Sequence, residues 1–351
     1  MSCKIKSNCL KFSSLFAFLL LLQPARAQYN FNEVDELLTK NQKLLGGDII
    51  AMIYKDGKLV YNKQLNKEFT GKTQVPIASC SKWLTAALTM IFVEEGKISL
   101  DDPVAKYIPV FTSYSKKYVT IRNCLSHTTG IHAEEPGLKA ILSNKKYATL
   151  EEEATGIAKR EIERNPGEMF FYSNIGLNIV GRILEVVSKK TFDRLIADRL
   201  LRPLKMRQTT FYIDYDKSFN PSGGALSTAN DYINFLSMIL NKGMFEGKRI
   251  LSEKSIAEMQ KVQTGSAVIK YEPAIALGYG YGLGEWIRDK DASGAGTVIT
   301  SPGIFGSYPL IDNCRGYACL IFAKTLLNEQ KKEVYDSLKD AIDKQISSNC
   351  K

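Results

Sequence analysis

Apolar positions recur with different periods in different parts of the chain. At residues 48–54 and 58–62 they form short continuous runs around the turn signal Asp56-Gly57, which predicts a β-hairpin. Strand-like runs return after Gly278, at residues 279–286, 296–300, 305–311 and 317–323. Elsewhere the apolar spacing favours helices, near residues 31–45, 79–95, 119–126, 150–163, 173–189, 191–202, 228–241, 252–261 and 328–346.

Strands near both ends of the chain and helices between them predict an α/β (α+β) fold. We expect one antiparallel sheet assembled from both chain ends and flanked by helices, with an inserted all-α lobe. The sheet lobe would comprise residues 28–78 and 262–351, and the helical lobe residues 79–261, within a single domain at 28–351. A cleft between two such lobes is a natural place for a binding site.

The first 27 residues are typical of a secretory signal peptide. A polar, basic start precedes an apolar run at residues 12–22, which is too short to span a bilayer comfortably. Pro24 ends this run, and Ala25-Arg26-Ala27 then has the small-x-small form of a cleavage site. We therefore predict cleavage after Ala27 and export of the protein, to a periplasm or out of the cell, with no transmembrane segment remaining.

Charge and histidine content narrow the possible functions. Lys and Arg number 47 against 37 Asp and Glu, a formal net charge of +10, but four of the basic residues lie in the first 27 positions. The remaining 43 basic and 37 acidic residues are interspersed, and no basic stripe indicates nucleic-acid binding. With only His127 and His132 in the chain, histidine-based zinc sites are disfavoured.

Five cysteines follow the predicted signal peptide, an odd number at irregular spacings that does not indicate a disulfide framework. Cys80 and Cys124 lie within apolar runs, so we expect both to be buried thiols. In an oxidising compartment, a bridge from Cys350 to either Cys314 or Cys319 is a further alternative.

The candidate nucleophile is Ser79, in the sequence Ser79-Cys80-Ser81-Lys82. Its Ser-x-x-Lys spacing alone carries little information, since the spacing recurs at Ser113/Lys116, Ser143/Lys146 and Ser348/Lys351. However, Lys82 is the only charged residue between Gln74 and Val93, and the apolar residues that follow it cover every face of the predicted helix. No Gly-x-Ser-x-Gly elbow occurs in the chain, which disfavours an ordinary α/β-hydrolase.

A place at the start of a buried helix gives Ser79 and Lys82 complementary chemistry. Residues three apart share a helix face, so the two side chains are expected to be neighbours. Burial disfavours the ammonium form, which would lower the pKa of Lys82 and leave a neutral amine available as a base. The alternative, equally compatible with the local sequence, is a serine N-cap followed by a lysine whose amine reaches solvent.

Six segments along the chain carry motifs that occur in the same order in a known superfamily. They include the serine segment at residues 76–86, the sequence Leu125-Ser126-His127-Thr128-Thr129-Gly130 within residues 119–131, and Tyr172-Ser173-Asn174 within residues 166–174. The others lie at residues 96–103, 203–206 and 223–231. Together they resemble the serine β-lactamase and penicillin-binding protein superfamily, in its branch of class C β-lactamases, D,D-peptidases and related esterases. The resemblance spans about residues 48–323.

The resemblance implies roles for residues beyond the serine segment. The Tyr172 hydroxyl would exchange a proton with Ser79, assisted by Lys82, and would later protonate the leaving group. Asn174 would donate from its amide to the substrate carbonyl or orient Lys82. His127 would belong to the scaffold of the helical lobe rather than to a Ser-His-Asp triad.

The third motif of the superfamily, Lys-Thr-Gly or His-x-Gly, is where this sequence departs from the pattern. In the aligned segment Thr300-Ser301-Pro302-Gly303-Ile304, Gly303 is retained and would let a substrate approach the strand. Ser301 stands where the superfamily has a basic or imidazole group that helps to bind a substrate carboxylate. The resemblance implies substrate binding by Ser301, Gly303 and Ile304, with the N–H groups of Ser79 and Ile304 forming an oxyanion hole.

These features lead to the hypothesis of a metal-independent, exported serine hydrolase that forms an acyl-enzyme on Ser79. Because Ser301 brings no positive charge, we expect esters, or amides and peptides, as substrates, as in an esterase or a D-amino-acid peptidase, ahead of β-lactams. The alternative is a cell-wall or ligand-binding protein, similar to a penicillin-binding protein, that acylates slowly or not at all. We expect no cofactor and no nucleic-acid partner; the oligomeric state stays open.

Overall fold

The computed structural model describes residues 29–134, 147–211, 219–325 and 330–350. The predicted signal peptide, residues 1–27, lies outside the described residues. Within the described ranges, no helix is long and apolar enough to cross a membrane.

Seven of the strands in the described chain form one antiparallel sheet, in the order β2-β1-β13-β12-β11-β10-β9. The strands are β1 (Ile49–Lys55), β2 (Lys58–Gln64), β3 (Val75–Pro76), β4 (Met169–Phe171), β5 (Leu226–Ser227), β6 (Met244–Phe245), β7 (Lys248–Arg249), β8 (Val268–Tyr271), β9 (Gly280–Tyr281), β10 (Trp286–Lys290), β11 (Gly296–Thr300), β12 (Tyr308–Asp312) and β13 (Tyr317–Ala323). Because β1 pairs with β13 along its whole length, the sheet joins both ends of the chain, as the sequence pattern predicts.

Helices cover both faces of the sheet. The α-helices of the described ranges, including those that do not touch the sheet, are α1 (Asn32–Lys40), α2 (Cys80–Glu94), α3 (Val110–Ser113), α4 (Ile121–Leu125), α5 (Leu150–Ala158), α6 (Ile175–Ser188), α7 (Phe192–Ile196), α8 (Ala229–Leu240), α9 (Glu253–Met259) and α10 (Gln330–Asp343). Helix α2 is buried from Cys80 to Phe92, as expected for a helix that is apolar on every side.

The continuous apolar run of β1 reflects burial on both faces of the sheet, since side chains alternate along a strand. Ile50 and Met52 belong to the buried cluster that the sheet forms with α2 and the other central helices. Ile49, Ala51 and Ile53 face a second buried cluster, formed with α1 and α10.

Two predicted strands have different bounds in the structure. The segment at residues 279–286 is two strands, β9 and β10, joined by a turn. Gly284 lies in that turn with φ +78°, and a Cβ there would lie 2.5 Å from the Cβ of Ala86, so glycine lets the chain approach α2. The strand predicted at residues 305–311 begins only at Tyr308, because the preceding residues form a turn in which Gly306 has φ +100°.

The central part of the chain contains short strands as well as helices. Strand β4 pairs in parallel with β8, while β3 pairs with β5 and β6 with β7 in antiparallel ladders. Segments of two to four residues are too short to show a period of two in the sequence. The lobe expected to be all-α therefore contains four short strands, β4 to β7, in its described part, of which β4 and β5 pair with strands outside it.

A disulfide joins Cys314, in the turn between β12 and β13, to Cys350 near the C-terminus. The N–H of Asn349 also donates to the carbonyl of Cys314, at 2.7 Å. Of the two pairings considered from the sequence, the structure thus contains the one through Cys314. Cys80 and Cys124 are buried free thiols, as expected.

Candidate active site

Ser79 lies at the point where a short strand turns into α2. Strand β3 pairs with β5, and the N–H of Ile77 donates to the carbonyl of Ala225 at 3.0 Å, which fixes the chain just before the turn. Ala78 has φ +44°, a left-handed conformation that costs a residue with a Cβ some free energy. Ser79 itself is half-buried, so its hydroxyl is held at a strained, partly open turn.

Lys82 is fully buried, and its Nζ has three acceptors. It lies 3.2 Å from Ser79 Oγ, 3.0 Å from Asn174 Oδ1 and 2.9 Å from the carbonyl oxygen of Ser222. Burial lowers the pKa of Lys82 to about 7. As a neutral amine, Lys82 can donate to Asn174 and Ser222, which leaves its lone pair directed at the Ser79 hydroxyl.

One helix positions Asn174 and Ser222, the two acceptors that hold Lys82 apart from Ser79. Asn174 occupies the N-cap position of α6. One turn later, Asn178 accepts from the N–H of Ser222 at 3.0 Å and donates to Glu153 at 2.7 Å. The start of α6 therefore fixes the Asn174 amide directly and the Ser222 carbonyl through Asn178.

The Tyr172 hydroxyl is the second proton-carrying group beside Ser79. Its ring centroid lies 4.9 Å from Lys82 Nζ and 5.0 Å from the ring centroid of Trp286. Burial raises the pKa of Tyr172, and its neighbours Ser79 and Trp286 oppose that rise only in part. Tyr172 is therefore a protonated phenol at neutral pH, able to give a proton away.

His127 supports the tyrosine segment and uses both ring nitrogens in doing so. Its Nδ1 accepts from the N–H of Ser173 at 3.4 Å, so the ring proton lies on Nε2, 3.0 Å from the Tyr281 hydroxyl. Its ring packs against Tyr172, with centroids 4.7 Å apart. Burial, and to a lesser extent the charge of Lys82, hold the pKa of His127 well below its usual value, so the ring is neutral.

The third-motif segment packs against the backbone of the serine segment. Ser301 is buried, and its hydroxyl donates to the carbonyl oxygen of Ser79 at 3.3 Å. A Cβ on Gly303 would lie 2.2 Å from the carbonyl oxygen of Ile77. On the side where a Cβ would project, the space beside Gly303 is therefore filled by the serine segment.

The backbone amides expected to form an oxyanion hole lie in these two packed segments. Within the described part of the chain, neither the N–H of Ser79 nor that of Ile304 has a hydrogen-bond acceptor. Ile304 is half-buried, in the turn that follows Gly303. Two unpaired donors on adjoining segments are suited to a developing negative charge.

Sequence reasoning missed the contributions of Ser222 and Trp286. The Pro221-Ser222-Gly223-Gly224 stretch overlaps a recognised segment, but no side-chain pattern indicates that the Ser222 carbonyl faces Lys82. Trp286 lies in a segment predicted as a strand, and its ring contact with Tyr172 depends on a fold that brings residues 172 and 286 together. No cluster of three or more His, Cys, Asp or Glu suited to a metal ion occurs in the described residues.

Comparison with known proteins places this geometry in a family. The sequence model of the family named Beta-lactamase matches residues 35–342. The crystal structure of a candidate beta-lactamase from Bacteroides dorei DSM 17855 has a TM-score of 0.80 and 30% identity, over 90% of this chain and 99% of that one. EstCE1, described as a hydrolase with promiscuous acyltransferase activity, has a TM-score of 0.74 and 19% identity, over 89% and 99%, which shows likeness of fold alone.

A curated relative covers a smaller part of the chain. Protein flp of Staphylococcus aureus strain MW2 is 31% identical over 170 residues, 46% of this chain and 34% of flp. The chain thus spans about a third of the length of this relative. The family match, in contrast, extends over most of the chain and includes every position from Ser79 to Ile304. The chain belongs to the Beta-lactamase family, whose fold is that of the serine β-lactamase-type hydrolases.

Proposed function

We propose that the protein is an exported serine hydrolase that works through an acyl-enzyme on Ser79, with esters and uncharged amides as its substrates. The observation that carries this proposal is the setting of Lys82. The amine of Lys82 is fully buried, has a pKa of about 7 and donates to Asn174 and Ser222. Its nitrogen lies 3.2 Å from Ser79 Oγ, so its lone pair can accept the serine proton. That is the arrangement a general base for a serine nucleophile needs.

Acylation then needs three proton transfers. Neutral Lys82 takes the proton of Ser79 as Oγ attacks the substrate carbonyl carbon, and the N–H groups of Ser79 and Ile304 receive the oxyanion. As the bond to the leaving group breaks, Tyr172 gives its proton to the leaving oxygen or nitrogen and regains one from the Lys82 ammonium. Water attacks the acyl-enzyme by the same path and frees Ser79.

The preference for uncharged substrates rests on the third-motif segment. Ser301 has no charge, and its hydroxyl is engaged by the carbonyl oxygen of Ser79. A substrate carboxylate would therefore find no cation at that position, and its desolvation would not be offset there. The name of EstCE1, a hydrolase with promiscuous acyltransferase activity, supports a similar acyl-transfer chemistry for this chain.

Export is supported by the disulfide. A bridge between Cys314 and Cys350 is stable in oxidising compartments and rare in reducing ones. This agrees with the secretory signal predicted at residues 1–27 and with a secreted or periplasmic location.

The test compares N-acyl-D-alanyl-D-alanine with its C-terminal amide, alongside a 4-nitrophenyl ester. We expect hydrolysis of the activated ester that disappears in Ser79→Ala, and a higher kcat/KM for the peptide amide than for the free carboxylate. Preference for the carboxylate would overturn the substrate assignment. A wild-type protein that hydrolyses none of the three would favour the binding-protein alternative.

A further inference from the structure

The turn that starts at Asn220 is tied to both helices that carry the candidate machinery. From α2, Lys82 Nζ lies 2.9 Å from the carbonyl oxygen of Ser222. From α6, Asn178 accepts from the N–H of the same residue at 3.0 Å. Within the turn, the N–H of Gly224 donates to the carbonyl of Asn220 at 2.7 Å. The backbone of the turn is therefore fixed before a substrate binds.

The side chain of Asn220 is oriented by the turn and keeps a donor unused. Its Oδ1 accepts from the hydroxyl of Ser222 at 2.6 Å, which assigns the other end of the amide to Nδ2. Among the described residues, no acceptor lies within hydrogen-bonding distance of Nδ2, and the side chain is only half-buried. The amide can therefore present its N–H groups to a ligand.

Gly223 leaves a gap between this amide and the serine segment. A Cβ on Gly223 would lie 3.5 Å from Asn220 Nδ2 and 3.9 Å from the carbonyl carbon of Ala78, the residue before Ser79. Both are ordinary contact distances, whereas a Cβ on Gly224 would lie 2.8 Å from the carbonyl oxygen of Asn220. The space that Gly223 leaves is thus bounded by the amide donor on one side and by the backbone that carries the nucleophile on the other.

The position of Tyr172 decides which part of a substrate would lie in this gap. In the proposed mechanism, Tyr172 gives its proton to the leaving group. The rings around it belong to His127, Trp286 and Tyr281, and none of these residues lies in the turn. The gap borders Ala78 instead, just before the nucleophile. With the leaving group at Tyr172, the acyl group is the part of the substrate that extends towards the turn.

We propose that Asn220 and the gap beside Gly223 form an acyl subsite that selects substrates with an amide or ketone carbonyl in the acyl chain. This inference rests on the proposed function, since it concerns acylation of Ser79. The N–H groups of Asn220 donate to that carbonyl oxygen, and the amide brings no charge, in line with the uncharged substrates proposed above. An acyl chain without the oxygen would cover these donors and leave them without an acceptor, which costs free energy.

The test compares 4-nitrophenyl 4-oxopentanoate with 4-nitrophenyl 4-methylpentanoate, two esters of similar shape in which a methyl group replaces the carbonyl oxygen of the chain. The measured quantity is the ratio of their kcat/KM values, which does not depend on the fraction of active protein. In Asn220→Leu, which is close in size but has no N–H, we expect this ratio to fall about two- to tenfold. In Asn220→Asp, which keeps an acceptor for Ser222 and loses the donor, we expect a fall at least as large.

Asn62→Leu and Asn62→Asp are the matched controls. Asn62 is exposed on β2, at the opposite edge of the sheet from β9 and β10, so both variants should keep the ratio of the wild type. An unchanged ratio in either Asn220 variant would overturn the proposal, as would an equal fall in the Asn62 controls. A wild type that hydrolyses neither ester would instead refute the proposed function.

A second measurement tests the gap without changing Asn220. The backbone of Gly223 lies outside the left-handed region and its Cβ position is free, so a side chain there needs no change of backbone. The methyl groups of Gly223→Val would fill the gap. We expect kcat/KM for the 4-methylpentanoate to fall at least about tenfold relative to 4-nitrophenyl acetate, whose acyl group is too short to enter it. An unchanged ratio of these two values would show that the acyl chain does not lie beside Gly223, and would overturn the proposal.

Discussion

The two sides of Ser79 contribute different things to the candidate site. On what we call the helical side, Lys82 and Tyr172 lie beside the Ser79 hydroxyl, and Asn174 and the carbonyl of Ser222 hold Lys82 in place. On the sheet side, residues 301–307, the contacts are those of packing and of hydrogen bonds to backbone. We propose that the helical side moves the protons, while the sheet side places the nucleophile and supplies one oxyanion donor, the N–H of Ile304.

This difference explains which part of the family pattern is kept. The proton-moving groups must be of particular types, because each is buried and its charge is set by its surroundings. The sheet side must above all be close to the serine backbone, which a serine and a glycine can satisfy without a charge. We therefore expect the absence of a basic residue at position 301 to change substrate preference more than it changes the ability to acylate.

The variant with the largest expected effect is Lys82→Met, which tests whether the helical side supplies the base. It removes the amine and keeps the length of the side chain. We expect kcat/KM for an activated ester to fall at least about a thousandfold, since general-base catalysis contributes on that order. Circular dichroism would check that the variant is folded. Activity within tenfold of the wild type would show that the helical side does not carry the chemistry.

Gly303→Ala tests whether the sheet side acts by placement. A Cβ there would meet the carbonyl oxygen of Ile77 at 2.2 Å, so the segment before Ser79 must shift. We expect a loss of about 1–3 kcal/mol in the free energy of unfolding, as for other overpacked sites, with a marked loss of activity. Gly265→Ala is the control, because nothing lies within 4 Å of its added Cβ; it should change stability by less than about 0.5 kcal/mol.

The pH dependence of activity tests whether Lys82 acts as a neutral base. Because its pKa is lowered to about 7 from an ordinary value of 10.5, the amine is protonated, and inactive as a base, below about pH 7. The value of kcat/KM should then fall tenfold per unit on the acid side. The folded state binds fewer protons than the unfolded state between about pH 7 and 10.5, so this group makes stability rise with pH across that range.

The control for this profile is Lys82→Met, whose residual activity should lack the acid limb. Tyr172 gives no competing limb near neutrality, because burial raises its pKa. A wild-type profile that stays flat down to pH 5 would contradict a neutral lysine base.

The smallest expected effect is that of Ser301→Ala. It removes one neutral hydrogen bond to the Ser79 carbonyl, which is worth about 0.5–1.5 kcal/mol, so the loss of kcat/KM should be roughly two- to tenfold. A loss as large as that of Lys82→Met would mean that the sheet side takes part in proton transfer, and the distinction between the two sides would fail.

The sequence was most informative where a local pattern sets the structure. The uniformly apolar run after Ser79 predicts the buried helix α2 and the burial of Lys82, and both follow from neighbours in sequence. The predicted strand bounds near residues 279–286 and 305–311 are wrong at glycine-containing turns. Contacts with α2 or with Thr325 fix these turns, and a local sequence pattern contains no information on such contacts.

Contacts between distant segments are the part that the sequence could not give. The Ser222 carbonyl reaches Lys82, 140 positions away, as a backbone group that no residue type marks. The close approach of Ile77 to Gly303, 226 positions away in the chain, also leaves no room for a Cβ there. The pairing of Cys314 with Cys350 likewise depends on where the C-terminus lies relative to the turn after β12.

The identity of the nucleophile is the central claim, and a fluorophosphonate probe tests it directly. The serine Oγ attacks phosphorus and fluoride leaves, so intact-mass spectrometry and peptide mapping locate the adduct. We predict a single adduct on Ser79 that is absent in Ser79→Ala and forms far more slowly in Lys82→Met. No adduct on the folded protein, or an adduct on another serine, would contradict the account.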